Sequence, residues 1–501
     1  MGIIIKQSIN NSIITYIGIT IGAINVLWLF PKYLNPEEIG LLRLIIDIPM
    51  LFAYFTQVGA SSLSDRFYSH FKNGNKNNGF LFLILVYPLV SFILFAIGFV
   101  VLKDVWVSIY SEKSAILINY LNFIVPLTFF MMYIFIFEAF LRANFNISIS
   151  SFVREVVLRL MFTFIIICYH FDLINLDGMI YLYIISYAAS LLFLIIYTKK
   201  IKLLDIKPDF TLLNKTKVKE MGTYVLYLIP GVAGAMIISK IDSLMLGSME
   251  GLTNVAVYSL AFFIGTVVEV PRKSLSQISI PLVSIASQEN DVSKIDELYK
   301  KNSLIQLAAG MLIFLLIWIN VDDLLSLIPQ SDIYSEGKYV ILFIGLSKLV
   351  EMSTSINGEI IQFSKYYRYN IAFVVVLSVF TTAANFILIP LFSINGAALA
   401  LLLNIIIVNI LKTVVVWNKI GVQPFSIKMV HIIFFGMLIC LIFGCVTYKA
   451  ESIVLTLLTI ALKSGFVLLC YLFVLKKFNV SEDITITLDK VYTTVISKIK
   501  K

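Results

Sequence analysis

Charge is scarce in this chain of 501 residues: Asp, Glu, Lys and Arg make up 14% of it, against about 25% in ordinary soluble domains. With 59% hydrophobic residues and a mean hydropathy of +0.93, that scarcity excludes a water-soluble fold. Cysteine is also rare. Cys168, Cys440, Cys445 and Cys470 all fall inside apolar runs, where thiols act as small buried hydrophobes and build no disulfide framework. The three histidines, His70, His170 and His431, lie far apart and form no metal or nucleophile constellation. No GxxxxGK[ST] phosphate loop occurs, which excludes direct ATP drive within this chain. Long polar connections are missing too. The longest outer one, about 321–337, is too short for the loop of carboxylates and arginines that a membrane glycosyltransferase or glycan polymerase needs. The expectation is a non-enzyme that needs no cofactor or metal.

What fills the chain is apolar runs. Thirty-nine Phe and 25 Tyr are spread along its whole length, and a helix crossing a hydrocarbon core of about 30 Å needs roughly 20 apolar residues. That rule predicts fourteen spanning helices, near 12–30, 39–60, 80–102, 115–140, 153–169, 179–197, 223–246, 255–271, 303–320, 338–362, 371–390, 397–417, 429–448 and 453–475. Runs of Leu, Ile and Phe this long favour helices over the short alternating segments of a barrel. The fold class expected is an all-α integral membrane protein. One early Lys6 and an apolar stretch from Ile13 to Phe30, without a small-residue cleavage site before Pro31, predict a retained first helix.

The basic residues set the orientation. Twenty-seven lie in one set of connections, including Arg66, Lys72, Arg142, Lys199 to Lys219, Arg272 to Lys301, Lys365, Arg368, Lys419, Lys428 and six lysines after Leu475. Only five, Lys32, Lys103, Lys113, Lys338 and Lys449, lie in the opposite set. Both termini are therefore expected in the cytoplasm. The net charge of +9 is topological and requires no nucleic acid. The largest cytoplasmic connections are read around 198–222 and 272–302, with Asp291 to Lys301 a candidate surface helix. In the tail, Leu488, Val491, Tyr492, Val495 and Ile499 keep helical spacing beside Lys490, Lys498 and Lys500; this suits a helix on an anionic leaflet as well as it suits a solvated tail.

Internal repetition carries the architecture. A shift of 218 places Leu34–Gly40 on Leu252–Tyr258 and Leu176-Asp177-Gly178 on Ile394-Asn395-Gly396, and a shift of 221 pairs Glu138 with Glu359. Near-equal shifts across six helices predict a duplication of helices 1–6 as 7–12, a parallel repeat because six is even. The organisation expected is an N-lobe over 1–200, a linker over 201–222, a C-lobe over 223–417, two extra helices over 418–475 and a tail over 476–501, the two lobes enclosing a central cavity as in transporters.

Three segments carry a likeness: GLLRLIID (Gly40–Asp47), Ile241–Ser284 with IDSLMLG and VPRKSLSQISIPLVS, and NFILIPLFSINGAALA (Asn385–Ala400). They resemble the bacterial polysaccharide-export flippases of the multidrug/oligosaccharidyl-lipid/polysaccharide exporter superfamily. The resemblance implies an inward-to-outward flippase in the bacterial cytoplasmic membrane, with an undecaprenyl-pyrophosphate-linked oligosaccharide as substrate, membrane lipids as surroundings and glycan-polymerising machinery as a partner. The alternative within the fold is a cation-coupled exporter of amphipathic drugs.

An anionic lipid-linked head needs cations in a wet cavity, and charges inside spans usually face a cavity or a partner. The candidates are Lys348, ten residues into helix 10, Arg43 and Lys240 in the outer halves of helices 2 and 7, and Arg159 in the inner half of helix 5. Arg matches phosphate oxygens with a planar fork, whereas Lys acts as a point charge. Arg43 with Asp47 and Glu155 with Arg159 are i,i+4 pairs that suit mutual neutralisation as well as a cavity role, and Lys348 with Glu351 is an i,i+3 pair for which neutralisation is the lesser reading. Asp242 and Glu269 fit coupling-ion sites or partners for basic neighbours. Lys412 suits snorkelling from the inner end of helix 12, and Lys463 lies outside the repeat. Pro230-Gly231 in helix 7 is the hinge candidate.

Overall fold

The computed structural model describes residues 2–72, 79–209, 211, 214–444 and 452–478. Among them, eleven helices are long and apolar enough to cross a membrane, and a bent pair makes a twelfth. One of the eleven, Arg368–Ile420, has 53 residues; at 1.5 Å per residue it is far too long for one crossing of about 30 Å. Ser393, with φ 50° and ψ −131°, breaks it into two. A further helical run, 147–170, is interrupted by a π-helical turn at Val153–Val157. These together give the fourteen spans.

In chain order they are α1 (Ile13–Tyr33), α2 (Pro36–Thr56), α3 (Phe80–Val101), α4 (Leu121–Ala143), α5 (147–170), α6 (Leu176–Lys200), α7 (Lys215–Met249), α8 (Leu252–Lys273), α9 (Val292–Ile319), α10 (Lys338–Thr354 with Asn357–Phe363), α11 (368–392), α12 (394–420), α13 (Ile427–Gly444) and α14 (Ile453–Lys477). No strand occurs among the described residues. The Leu488–Lys501 helix and Cys445 lie outside them.

Several boundaries differ from the sequence reading, each for a local reason. α2 ends at Thr56 rather than near 60, because Val58 and Gly59 take positive φ of 46° and 72°. The following Ala60–Phe71 is a separate amphipathic helix that buries Leu63, Phe67, Tyr68 and Phe71. The expected 272–302 connection is almost entirely helical. Helix runs on from α8 to Gln288, turns at Asn290 with φ 54°, and restarts at Val292, where the Asp291 carboxylate accepts from the Lys294 amide at 2.9 Å. Asp291–Lys301 is thus the cap and first turns of α9, not a separate surface helix. α7 starts at Lys215, eight residues before the expected 223, capped by Asn214. It runs helical through Pro230-Gly231. The breaks fall instead at Ser393 and at Ser355, where φ 43° and ψ −100° bend α10 by 47°.

Packing divides the chain into two compact units, Met1–Ala256 and Val257–Lys501. α7 therefore packs in the first unit, although the repeat assigns it to the second lobe. Its hold there is local: Gly247 lies against Leu44 of α2, and the Ser114 hydroxyl donates to the Gly247 carbonyl at 2.5 Å. Lipid tails are as apolar as Leu, so helices in a bilayer associate through close packing and hydrogen bonds rather than the hydrophobic effect. Gly40 illustrates this, since a Cβ there would overlap the Leu252 carbonyl. In the second unit Gly310 of α9 lies against Met352 of α10, and the Tyr471 hydroxyl ties α14 to the Ala308 carbonyl at 2.9 Å.

Candidate functional site: charged clusters within the spans

In the first unit the charges gather in two clusters, an upper one around α2 and a lower one on α4, α5 and the Ala60–Phe71 helix. At the upper level Asp47 is the centre. Its side chain is 1% exposed, and it meets Lys240 Nζ of α7 at 2.6 Å and Arg43 Nε at 2.7 Å. The Lys240 contact is aligned as a hydrogen bond; the Arg43 contact is an ion pair without that alignment. One carboxylate thus faces two cations. Asp242, two residues after Lys240, is turned about 200° away around the helix and is itself buried. Arg43 stays 39% exposed. A guanidinium exposed to hydrocarbon is costly, so its open side marks a water-facing wall.

At the lower level Arg154 Nη1 donates to Glu138 Oε2 of α4 at 2.7 Å and its Nε to Glu155 at 3.2 Å. Arg159 pairs with Glu155 at 2.6 Å and also donates to the Gly18 carbonyl of α1. Asn25 of α1 donates to the Arg159 carbonyl, and Thr163 to Asn25, so Arg159 is built into the α1–α5 contact. Arg142 forms a two-point pair with Asp65 at 2.8 and 3.0 Å. Three cations here face three carboxylates.

The second unit holds a quartet. Lys348 of α10 lies 2.8 Å from Glu269 of α8 and 3.3 Å from Glu351; Arg272 lies 2.6 Å from Glu351 and 3.4 Å from Glu269. Two cations and two carboxylates neutralise one another, so Lys348, the strongest candidate from the sequence, is held between two acids. Lys463 of α14 pairs with Asp323 at 2.8 Å. Lys412 makes no hydrogen bond or ion pair among the described residues; its ammonium lies over Gly358. Between α9, α10, α12 and α13 runs an apolar groove of about 510 Å³, lined by residues such as Leu307, Met311, Leu349, Val350, Ile406 and Met437.

Sequence spacing exposes partners that share a helix, hence Arg43–Asp47, Glu155–Arg159 and Lys348–Glu351. It does not expose Asp47–Lys240, Glu138–Arg154, Glu269–Lys348 or Arg272–Glu351, which depend on packing between helices. Glu138 and Arg272 were missed as partners for that reason; each showed as an ionisable side chain near an apolar run, and Glu138 also as the repeat match of Glu359.

The comparisons bear on family and fold. A family model described as polysaccharide biosynthesis protein matches residues 5–286, more than half of the chain. The lipid II flippase MurJ, in an inward closed conformation, superposes with a TM-score of 0.72 at 13% identity, covering 94% of this chain and 98% of that one. An inward-facing multidrug resistance MATE family transporter of the MOP superfamily gives 0.62 at 15% identity, over 78% and 92%. The Vibrio cholerae MATE transporter VcmN in its bent form gives 0.50 at 12%, over 84% and 98%. The comparison with curated protein sequences returns no match. The chain belongs to the polysaccharide biosynthesis protein family, and it has the all-helical membrane fold that MurJ and the MATE transporters share.

Proposed function

We propose that this protein is a flippase that carries a lipid-linked, pyrophosphate-bearing oligosaccharide from the inner to the outer leaflet of the cytoplasmic membrane by alternating access, both termini lying in the cytoplasm. The observation that carries the reading is Asp47, a single buried carboxylate facing both Arg43 and Lys240. The surplus positive charge on a water-facing wall suits an anion. In this reading Arg43 offers its fork to the phosphate oxygens and Lys240 adds a point charge. Lys348 and Arg159 assist as paired cations that an incoming phosphate would re-partner, while Asp47, Glu269 and Glu351 hold the cations in place. Pro230 and Gly231 remain the hinge proposed for α7. Family membership supports a role in polysaccharide synthesis, and the MurJ likeness supports the fold such a role needs.

Cells lacking the protein should accumulate lipid-linked oligosaccharide on the inner leaflet with drug susceptibility unchanged. Altered drug efflux with normal glycan export would establish the drug-exporter alternative, which the same fold permits.

A further inference from the structure

Seven residues after Asp47, on the same face of α2 and about 10 Å further along its axis, Tyr54 stands beside the lower charge cluster. Its ring packs on Phe135 of α4 with centroids 4.5 Å apart, one turn from Glu138, and it lies within electrostatic reach of Glu138 and Arg154. Two further features of this cluster are unusual. The Glu138 side chain is 8% exposed, and its Oε2 is taken by Arg154 while its Oε1 is buried with no partner; a buried acceptor left open is costly and normally finds a donor. Arg154 is 48% exposed and sits in the π-helical turn of α5, an irregularity common at functional sites. A half-exposed guanidinium at this depth faces water, not lipid.

An open carboxylate oxygen, spare guanidinium donors and a half-buried aromatic ring make a different offer from the Asp47 level. Glu138 and Glu155 flank Arg154, so there is no positive surplus to attract a phosphate. A neutral pyranose fits. Its hydroxyls donate to Glu138 Oε1 and accept from Arg154, and its C–H face lies on the Tyr54 ring. We propose that Tyr54, Glu138 and Arg154 form a sugar-binding station, reading the first sugar next to a diphosphate held at Arg43 and Lys240. The inference rests on the proposed function and adds to it the recognition of the glycan as a group distinct from the phosphates.

The test uses the full-length protein in nanodiscs with two probes, undecaprenyl diphosphate and undecaprenyl diphosphoglucose. The unmodified protein should bind the sugar-bearing lipid about tenfold more tightly, the size expected of one hydrogen bond to a charged group. Tyr54→Leu and Glu138→Gln should bring that ratio to about one and leave affinity for the sugarless lipid unchanged. Tyr54→Leu disturbs no ion pair, so it keeps the test open if Glu138→Gln fails to insert. Arg43→Ala should weaken both lipids alike. If the Tyr54 and Glu138 variants weakened both lipids equally, or neither, the cluster would be a structural ion-pair network and the station would be refuted. If the unmodified protein bound neither probe above phosphatidylglycerol, the proposed function itself would fall.

Discussion

Asp47 and Lys348 sit in opposite electrostatic situations, and their variants should behave accordingly. Asp47 is one acid between two cations. Removing one cation leaves a balanced pair, so Arg43→Ala should insert and fold normally and lose export. Removing the acid strands the buried Lys240 ammonium beside the half-exposed Arg43, and Asp47→Asn should cost roughly 3–5 kcal/mol, the usual penalty for stranding one buried charge. Protein level and thermal unfolding in detergent, read beside export, distinguish the two. Lys348 is one member of a neutral quartet. Lys348→Ala leaves two carboxylates on Arg272 and should lower protein level, whereas Lys348→Ala with Glu351→Ala leaves the Glu269–Arg272 pair and should restore it. Full export by that double variant would remove Lys348 from the substrate path. The residue types at these sites were legible in the sequence because a charge in an apolar run is conspicuous. Their partners were legible only at i,i+3 or i,i+4, since the register between helices is set by packing contacts such as Gly247 on Leu44.

Among the elements, the two helix breaks fall at serines. Ser355 takes φ 43° and ψ −100°, a conformation a Cβ disfavours, and its buried hydroxyl has no partner. Ser355→Gly should therefore raise stability by about 1 kcal/mol, while Ser355→Val should lower it, both read as shifts in the melting temperature. Gly40 is the converse case. Its close approach to the Leu252 carbonyl leaves no room for a methyl group, so Gly40→Ala should reduce protein level. The fourteen spans were legible because a run of about 20 apolar residues has few other places to go. The α10 break was not, since serine gives no stop signal and the bonds beside the break, from Thr354 and Asn357 to the Asn409 side chain of α12, join residues more than 50 positions apart. The 272–302 stretch misled for the opposite reason: its charges and Pro281 read as a loop, yet helix continues through them as far as Gln288 and turns only at Asn290, with φ 54°.

At the scale of the whole molecule, the basic connections predict the topology. Reporter fusions after Lys215 should read cytoplasmic, and fusions after Asp104 and Asp332 external; reversal at two of these sites would overturn the orientation. Near-equal shifts between matched segments propose a duplication, but they do not give the packing units, because α7 is held to α2 by contacts that no shift records. In the proposed function the surplus cations at Asp47 serve an anionic, lipid-linked glycan. The most direct measurement of that role is translocation in proteoliposomes of undecaprenyl diphosphate carrying a fluorescent oligosaccharide, followed by quenching with an impermeant reagent. Translocation should depend on the protein and be lost in the Arg43→Ala, Lys240→Ala double variant while the variant still inserts. Translocation no faster than in empty liposomes, with active export of an amphipathic cation by the same preparation, would contradict that role.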